Sequence, residues 1–247
     1  MKSPVLPPTE STTDPIAGMS SDIGAARCLH VFDMDGTLLR STAAIELARH
    51  LGQLEEGQKI EEQWFGGEIT DKEFWLRLID ICKGASDADI DDAFDNAPWM
   101  AGIAETFADI RSRGESVIVI SQSPAFFVRG LERWGAHETY GSAVELGRPL
   151  SDSATLLAET KVTITESALS IRNLSAHECV AYGDSSSDLG LFATLPHTVG
   201  VNPTPELGAL AAARYVGTDI REAYALGRQL IKQGIDNVKE FKVNERV

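Results

Sequence analysis

No apolar run in this chain of 247 residues approaches the roughly eighteen residues that a membrane-spanning helix needs. A soluble protein is therefore expected. Cysteine is scarce. Cys28, Cys82 and Cys179 are the only three, far apart and each within apolar sequence, which excludes a disulfide framework or a cysteine-based zinc site. That is the pattern of reduced, buried thiols in a cytoplasmic protein. Basic residues are outnumbered, with 22 Lys and Arg against 37 Asp and Glu, for a formal net charge of −15. A surface so acidic argues against non-specific binding to nucleic acid or to an anionic membrane. The first 25 residues, rich in Pro, Ser and Thr, have no apolar signal-peptide core and are expected to form a disordered leader. No internal repeat is present. The five histidines show no metal-ligand spacing and read as structural, His30 within a strand and His197 at a strand start.

What is present is concentrated at Val31-Phe32-Asp33-Met34-Asp35-Gly36-Thr37-Leu38-Leu39. Two carboxylates, two residues apart, follow the apolar run Cys28–Phe32, which reads as a buried strand. Gly36 permits a sharp turn, and Thr37 can begin the next element. Acids on a tight turn make a poor core. They are well suited to holding a divalent cation and offering a nucleophile to phosphate, since carboxylate and carbonyl oxygens suit Mg²⁺ and turn amides can face phosphate oxygens. An ordinary acidic turn has the same local composition. A calcium loop of the EF-hand kind is excluded, because its closing Glu would fall on Ala44.

Asp33-x-Asp35-Gly36-Thr37-Leu38 resembles the first motif of the haloacid dehalogenase superfamily, whose members are mostly Mg²⁺-dependent phosphatases. Three later segments match that family in order. Ser116–Ser121 is a strand ending in a hydroxyl, Lys161 precedes a helical stretch, and Val180–Asp188 is a strand ending in an acidic loop. Together the motifs span residues 28 to about 203, and their order is far more specific than any one of them.

The intervening pattern gives an architecture. Residues 28–32, 116–120 and 178–182 are short, almost continuously apolar strands, as in a parallel sheet covered on both faces. His197–Val201 reads as another. Helical spacing follows at Ile103, Phe107 and Ile110, closed by Gly114, and at Phe127, Leu131 and Trp134, closed by Gly135. Such alternation predicts a Rossmann-like, doubly wound α/β sheet, with ligands at the carboxyl ends of the strands. The alternation stops between Leu39 and about Pro98. Helices are predicted there over 43–51, over 71–83 with Thr70-x-x-Glu73 as a capping box, and over an acidic stretch from Ser86 to about Asn96. The expected organisation is a core of residues 26–40 and 99–235, a helical cap over 41–98, a last helix over 219–232 and a solvated tail over 236–247. By position the insertion is similar to the helical cap of phosphoserine-phosphatase-like family members. Trp64, Phe65, Trp75 and Trp99 are candidates to line a pocket beneath it, although aromatics at helical spacing more often pack a core.

The resemblance also implies roles. Asp33 is the expected nucleophile, forming an aspartyl-phosphate, and Asp35 the general acid. A carboxylate oxygen of Asp33, the carbonyl of Asp35 and Asp184 would hold Mg²⁺. Ser121 and the backbone amide of Gln122 would bind the phosphoryl group. Lys161, which lies 23 residues before Asp184, would neutralise Asp33 and the phosphate. Asp188 would bind a metal water or orient Lys161. The expected substrate is a small phosphorylated metabolite. Where phosphoserine-specific relatives carry a Phe and an Arg in the cap, this chain lacks the Phe and has Leu78 in place of the Arg, with Arg77 adjacent. Phosphoserine is therefore not the expected best substrate. Transfer of the phosphoryl group to an acceptor alcohol is an alternative. A catalytically silent binding protein is a third reading, disfavoured because Asp33, Asp35 and Asp184 are all present.

Overall fold

In the structure, a computed structural model that describes residues 28–151 and 154–244, six strands form one parallel sheet. They are β1 (Leu29–Phe32), β2 (Ser116–Pro124), β3 (Glu138–Ser142), β4 (Cys179–Gly183), β5 (Thr198–Val201) and β6 (Ala213–Tyr215), in the order β3-β2-β1-β4-β5-β6. This is the expected doubly wound α/β architecture. The expected leader of residues 1–25 lies outside the described residues.

The central strands β1, β2, β4 and β5 are largely apolar because both faces of the sheet are buried there. Side chains alternate along a strand, so Leu29 and Val31 join a cluster with Ile118, Ile120 and Leu191 on one face. Phe32 joins Phe107, Val117 and Tyr182 on the other. The Phe32 and Tyr182 rings stack with centroids 4.1 Å apart. Each fully buried side chain of this size contributes about 1.5–3 kcal/mol relative to exposure.

Register positions the motifs. Phe32 lies opposite Val119 on β2 and opposite Tyr182 on β4. The motif residues therefore gather at the same edge of the sheet, with Asp33 between Ser121 and Asp184. β1 has β2 on one side and β4 on the other, so this edge is the crevice where the winding reverses, the usual ligand position in open α/β sheets.

Four helices lie between β1 and the next core helix: α1 (Ala43–His50), α2 (Leu54–Phe65), α3 (Asp71–Ile81) and α4 (Asp87–Asp95). Thr42 caps α1 by accepting from the Ile45 amide at 3.2 Å. The expected Thr70–Glu73 capping box is present on α3, and Ser86 and Asp89 form a second on α4. Helix α2 has no counterpart in the sequence reading. Its stretch Leu54–Phe65 has a sparse apolar pattern and an internal glycine, which weakens the local helical signal. The glycine is explained by packing, because a Cβ on Gly57 would lie 2.5 Å from Ala48 Cβ on α1. The insertion is tied to the sheet at two adjacent crossings, where the Arg40 amide donates to the Pro98 carbonyl at 3.1 Å and the Met100 amide to the Leu38 carbonyl at 2.8 Å.

The remaining helices are α5 (Ile103–Ser112), α6 (Ala125–Val128), α7 (Ala158–Ile171), α8 (Leu189–Thr194), α9 (Pro205–Leu210) and α10 (Ile220–Asn244). Three corrections follow. The helix expected around Phe127, Leu131 and Trp134 is the single α-turn of α6 followed by a 3-10 segment, Arg129–Trp134. Strands β3 and β6 carry no clear signal in the sequence, because β3 is half exposed at the sheet edge and β6 has only three residues. The last helix does not stop at 232, and α10 carries the backbone through the start of the expected tail to Asn244. Among the described residues no helix is long and apolar enough to cross a membrane.

Candidate active site

Asp33 is the first residue past β1, and its amide donates to the Tyr182 carbonyl of β4 at 2.9 Å. That bond continues the parallel ladder by one residue and orients the carboxylate outward from the sheet edge. One oxygen, Oδ1, accepts from Lys161 Nζ at 2.8 Å. The same ammonium donates to Asp188 Oδ1 at 2.7 Å and to Ser187 Oγ at 3.0 Å. Lys161 does not precede a helix, as expected, but lies in the first turn of α7. It is only 1% exposed. Burial disfavours its charge, yet the opposing charges of Asp188 and Asp33 outweigh that and hold its pKa above the usual lysine value. Lys161, Thr165, Ala168 and Leu169 form the buried face of α7. That helical spacing is the sequence signal that distinguishes this lysine from a surface one.

Asp184, one residue beyond β4, faces Asp33 across the crevice. Oxygens of Asp33, Asp184 and Asp188 lie within 4.8 Å of one another. Burial, followed by the charge of Asp188, pushes the Asp184 carboxyl up to about 7. Asp33 is also held well above the carboxylate range, by burial first and by the neighbouring acids, against the opposing pull of Lys161. One lysine thus faces three acids. Asp184 Oδ1 is buried without a hydrogen-bond partner in the protein, a costly condition unless something else occupies that lone pair. Closely spaced hard oxygen donors with one unsatisfied are the donor set of a divalent cation such as Mg²⁺. Two glycines make the approach possible. A Cβ on Gly36, whose φ is +76°, would lie 2.2 Å from Asp184 Oδ2, and one on Gly183 would lie 2.4 Å from Asp188 Oδ2. Asp188 accepts from Lys161, the contact that one of its two expected roles involves. Its oxygens also belong to the cluster of carboxylates, whereas the contribution expected of Asp35 was its backbone carbonyl.

The Asp35 carboxylate is instead held separately. Oδ1 accepts from the Ala43 amide, the first residue of α1, at 2.8 Å. Oδ2 accepts from Ser121 Oγ at 3.0 Å and Ser123 Oγ at 2.6 Å. Burial raises its pKa, opposed chiefly by the Ser123 bond. The two neighbouring carboxylates therefore have different environments: Asp33 is paired with a lysine, whereas Asp35 is held by hydroxyls and an amide. Separation of this kind suits one acid as a nucleophile and the other as a proton donor.

Ser121 thus contacts Asp35 and accepts from the Ser123 amide at 3.0 Å. It does not cap the following helix. Gln122 anchors a loop, its side chain donating to the Leu156 carbonyl at 3.1 Å. Sequence reasoning misses Ser123, because the apolar run of β2 ends at residue 120. The strand runs on to Pro124 with an irregular register, so alternation puts Ser121 and Ser123 on one side of it.

Above these residues is a cavity of about 480 Å³. Its floor includes Asp33, Asp35 and Asp184, and its opposite wall comes from α2 and α3, with Trp64, Phe65, Phe74, Trp75 and Leu78. Trp64, Phe65 and Trp75 therefore line it as envisaged. Trp99 instead packs against Phe94, Phe127 and Trp134. Glu61 also lines the cavity and accepts from Thr42 Oγ1. Burial holds the Glu61 carboxyl above its ordinary range. Leu78 lines the cavity, whereas Arg77 is exposed and donates to Gln63 Oε1 at 2.7 Å.

A second cluster involves His30, for which the sequence suggested no partners. Cys28, His30 and Glu115 group at the other end of β1. Both imidazole nitrogens are engaged, Nε2 with Glu115 Oε2 and Nδ1 with the Tyr182 hydroxyl, each at 3.1 Å. Arg228 Nη1 donates to both Glu115 oxygens, at 2.6 and 2.7 Å. This group is satisfied by protein atoms. The three cysteines are free and buried, as expected.

Residues 30–193, more than half of the chain, match the family described as haloacid dehalogenase-like hydrolase. The chain belongs to this family. Among curated relatives in sequence, the phosphoserine phosphatase of Archaeoglobus fulgidus is 28% identical over 165 residues, covering 65% of this chain and 48% of that protein. The phosphoserine phosphatase of Methanocaldococcus jannaschii is 25% identical over 169 residues, covering 66% of this chain and 80% of that protein. The chain thus spans about half the length of the first and four-fifths of the second. A solved substrate-bound phosphoserine phosphatase complex superposes with a TM-score of 0.66 at 22% identity, over 79% of this chain and 96% of that one. A phospho-aspartyl intermediate analogue of phosphoserine phosphatase gives 0.64 at 22% identity, over 80% and 97%. The α/β fold of this family member, with its helices inserted after β1, is the fold of those structures.

Proposed function

We propose that this haloacid dehalogenase-like hydrolase is a Mg²⁺-dependent phosphatase of small phosphomonoester metabolites. One observation carries the reading: a buried carboxylate, Asp33, clamped by Lys161 at 2.8 Å, opens onto the same cavity as a separately held acid, Asp35. The relatives named phosphoserine phosphatase support a phosphate monoester as the substrate class.

In this reading, an oxygen of Asp33 attacks phosphorus and the bond to the leaving alcohol breaks. Asp35 gives its proton to the departing alkoxide. Water then attacks the aspartyl-phosphate and passes a proton to Asp35, and phosphate leaves as Asp33 is regenerated. Lys161 favours the ionised form of Asp33 against the effect of burial, orients it, and offsets negative charge as the phosphoryl group approaches. Ser121 and Ser123 hold Asp35 in place. Asp33 and Asp184, with the carbonyl of Asp35, would hold Mg²⁺, which when bound supplies positive charge to offset that of the phosphoryl oxygens. Residues 41–98 act as a lid that excludes water and bulky phosphoproteins.

The test is Mg²⁺-dependent phosphate release from a panel of phosphorylated metabolites and an aryl phosphate. Turnover that chelation abolishes is expected. Absence of turnover on every member, aryl phosphate included, would sink the reading. Equality of phosphate released and substrate consumed, with acceptor alcohols present, is the result expected of hydrolysis; a deficit of free phosphate would identify transfer.

A further inference from the structure

The floor of the cavity has a role in the proposed reaction, but its opposite wall does not. Phosphate alone needs little of a space of about 480 Å³, so a leaving group of some size is expected to occupy the part against α2 and α3. Charge there is one-sided. Glu61 and Asp71 line that wall, and the cavity's one basic lining residue among those described, Arg40, is exposed and donates to the Pro98 carbonyl at 3.3 Å. Leu78 adds an apolar surface. A substrate carboxylate set against α2 and α3 would therefore meet Glu61 with no cation among the lining residues of those two helices, a like-charge contact that costs affinity.

The wall is also rigidly prepared. Glu61 is fixed by the Thr42 hydroxyl at the base of α1. Asp71 accepts from the Trp64 indole N–H at 2.7 Å, which orients that ring. Trp64 packs against Phe65 and Phe74, with centroids 5.0 and 4.9 Å away. A carboxylate beside indole and phenyl rings is a cation-recognition chemistry, in which the acid supplies a charge-assisted hydrogen bond and ring faces attract an ammonium. The rings alone would serve any apolar group, but the acid serves neither an anionic nor a purely apolar one.

We propose that Glu61, with the aromatic wall of Trp64, Phe65 and Trp75, selects phosphomonoesters whose alcohol carries a protonated amine and no carboxylate. This rests on the phosphatase reading for turnover, but not for binding. The substrate class is a phosphorylated amino alcohol, with its phosphate toward Asp33 and its ammonium toward Glu61.

The test uses the full chain with Mg²⁺ and three phosphomonoesters of matched length: an ω-aminoalkyl phosphate, the neutral alkyl phosphate and phosphoserine. The aminoalkyl compound is expected to exceed the neutral one in kcat/KM by about 10- to 100-fold, the scale of a hydrogen bond to a charged group. Glu61→Gln should bring that ratio close to one. Tryptophan fluorescence titration with the corresponding phosphonates, which cannot turn over, should show the same preference and the same loss. Turnover of aryl phosphate without an amine preference, a preference unchanged in Glu61→Gln, or phosphoserine as the best of the three would overturn the inference and leave the phosphatase reading standing. Amine-selective phosphonate binding without any turnover would do the reverse.

Discussion

At the N-terminal end of β1, His30 engages Glu115 and Tyr182, and Arg228 covers both Glu115 oxygens. At the C-terminal end, three residues on, Asp33 shares one lysine with Asp188, while Asp184 keeps a buried oxygen without a partner. Both clusters are buried and polar, and both are spanned by neighbouring strands of the same sheet. Their chemistry differs in sign. Burial drives His30 toward its neutral form, and although burial also opposes ionisation of Glu115, hydrogen bonds from His30 and Arg228 hold its carboxyl below the ordinary range. Charge there is balanced, so a neutral imidazole donates to the carboxylate and accepts from the tyrosine hydroxyl. At the other end Asp33, Asp35 and Asp184 are all held above the carboxylate range. A satisfied cluster holds the fold together, and a cluster with excess negative charge is poised for a cation and a substrate.

The largest expected effect is at the unbalanced end. Asp33→Asn should remain folded and lose at least about 10³-fold in turnover, since an amide is a poor nucleophile. Steady-state kinetics on an aryl phosphate will read this, and near wild-type hydrolysis would remove Asp33 from the nucleophile role. At the balanced end, Glu115→Ala should destabilise the protein by about 2–4 kcal/mol, because it removes the carboxylate partner of Arg228 and leaves the buried His30 Nε2 unpaired. Urea unfolding within about 0.5 kcal/mol of wild type would show that this network contributes little.

Asp184→Asn sharpens the contrast further. A carboxyl whose folded pKa is raised stabilises the fold fully below its unfolded value near 3.8, and that contribution is lost as pH climbs through about 7. Metal-free Asp184→Asn should therefore be more stable than wild type at pH 8, by roughly 1–2 kcal/mol, with the difference vanishing toward pH 4. Its stabilisation by added Mg²⁺ should shrink. Thermal melts in chelator and in Mg²⁺ at both pH values will decide, and a destabilised variant with an undiminished Mg²⁺ response would show that the two ends do not differ as argued. The smallest effect is expected for Ser123→Ala. The Ser123 bond favours ionised Asp35, so its loss should raise the acid's pKa and move the basic limb of the kcat/KM profile upward, with about a 2- to 10-fold change in rate. A downward shift would contradict the proton-donor role of Asp35.

Several features of this protein are decided by chemistry within a few residues, and these are legible in the amino-acid sequence itself. Strand β1 follows from its apolar run, and the turn after it from Gly36. The cap on α3 follows from Thr70, whose hydroxyl reaches the amide three residues on. Asp33, Asp35 and Asp184 can be named because each stands just beyond a recognisable strand, and parallel pairing then aligns those ends without further information.

Other features depend on partners distant in the chain, and only tertiary structure decided them. Lys161 reaches Asp33 across 128 residues, and Ser123 reaches Asp35 across 88. Glu61 takes its orientation from Thr42, the cap residue of another helix. The glycine inside α2 is accounted for by the close packing of Gly57 on Ala48, and β3 and β6 become strands because a neighbour supplies the ladder. In each case the local sequence is compatible with an ordinary exposed role, and the free energy that selects another comes from burial and hydrogen bonds made only after the chain has folded. The acids are identifiable from sequence; their pairing, which assigns a different chemistry to each, is set by the fold.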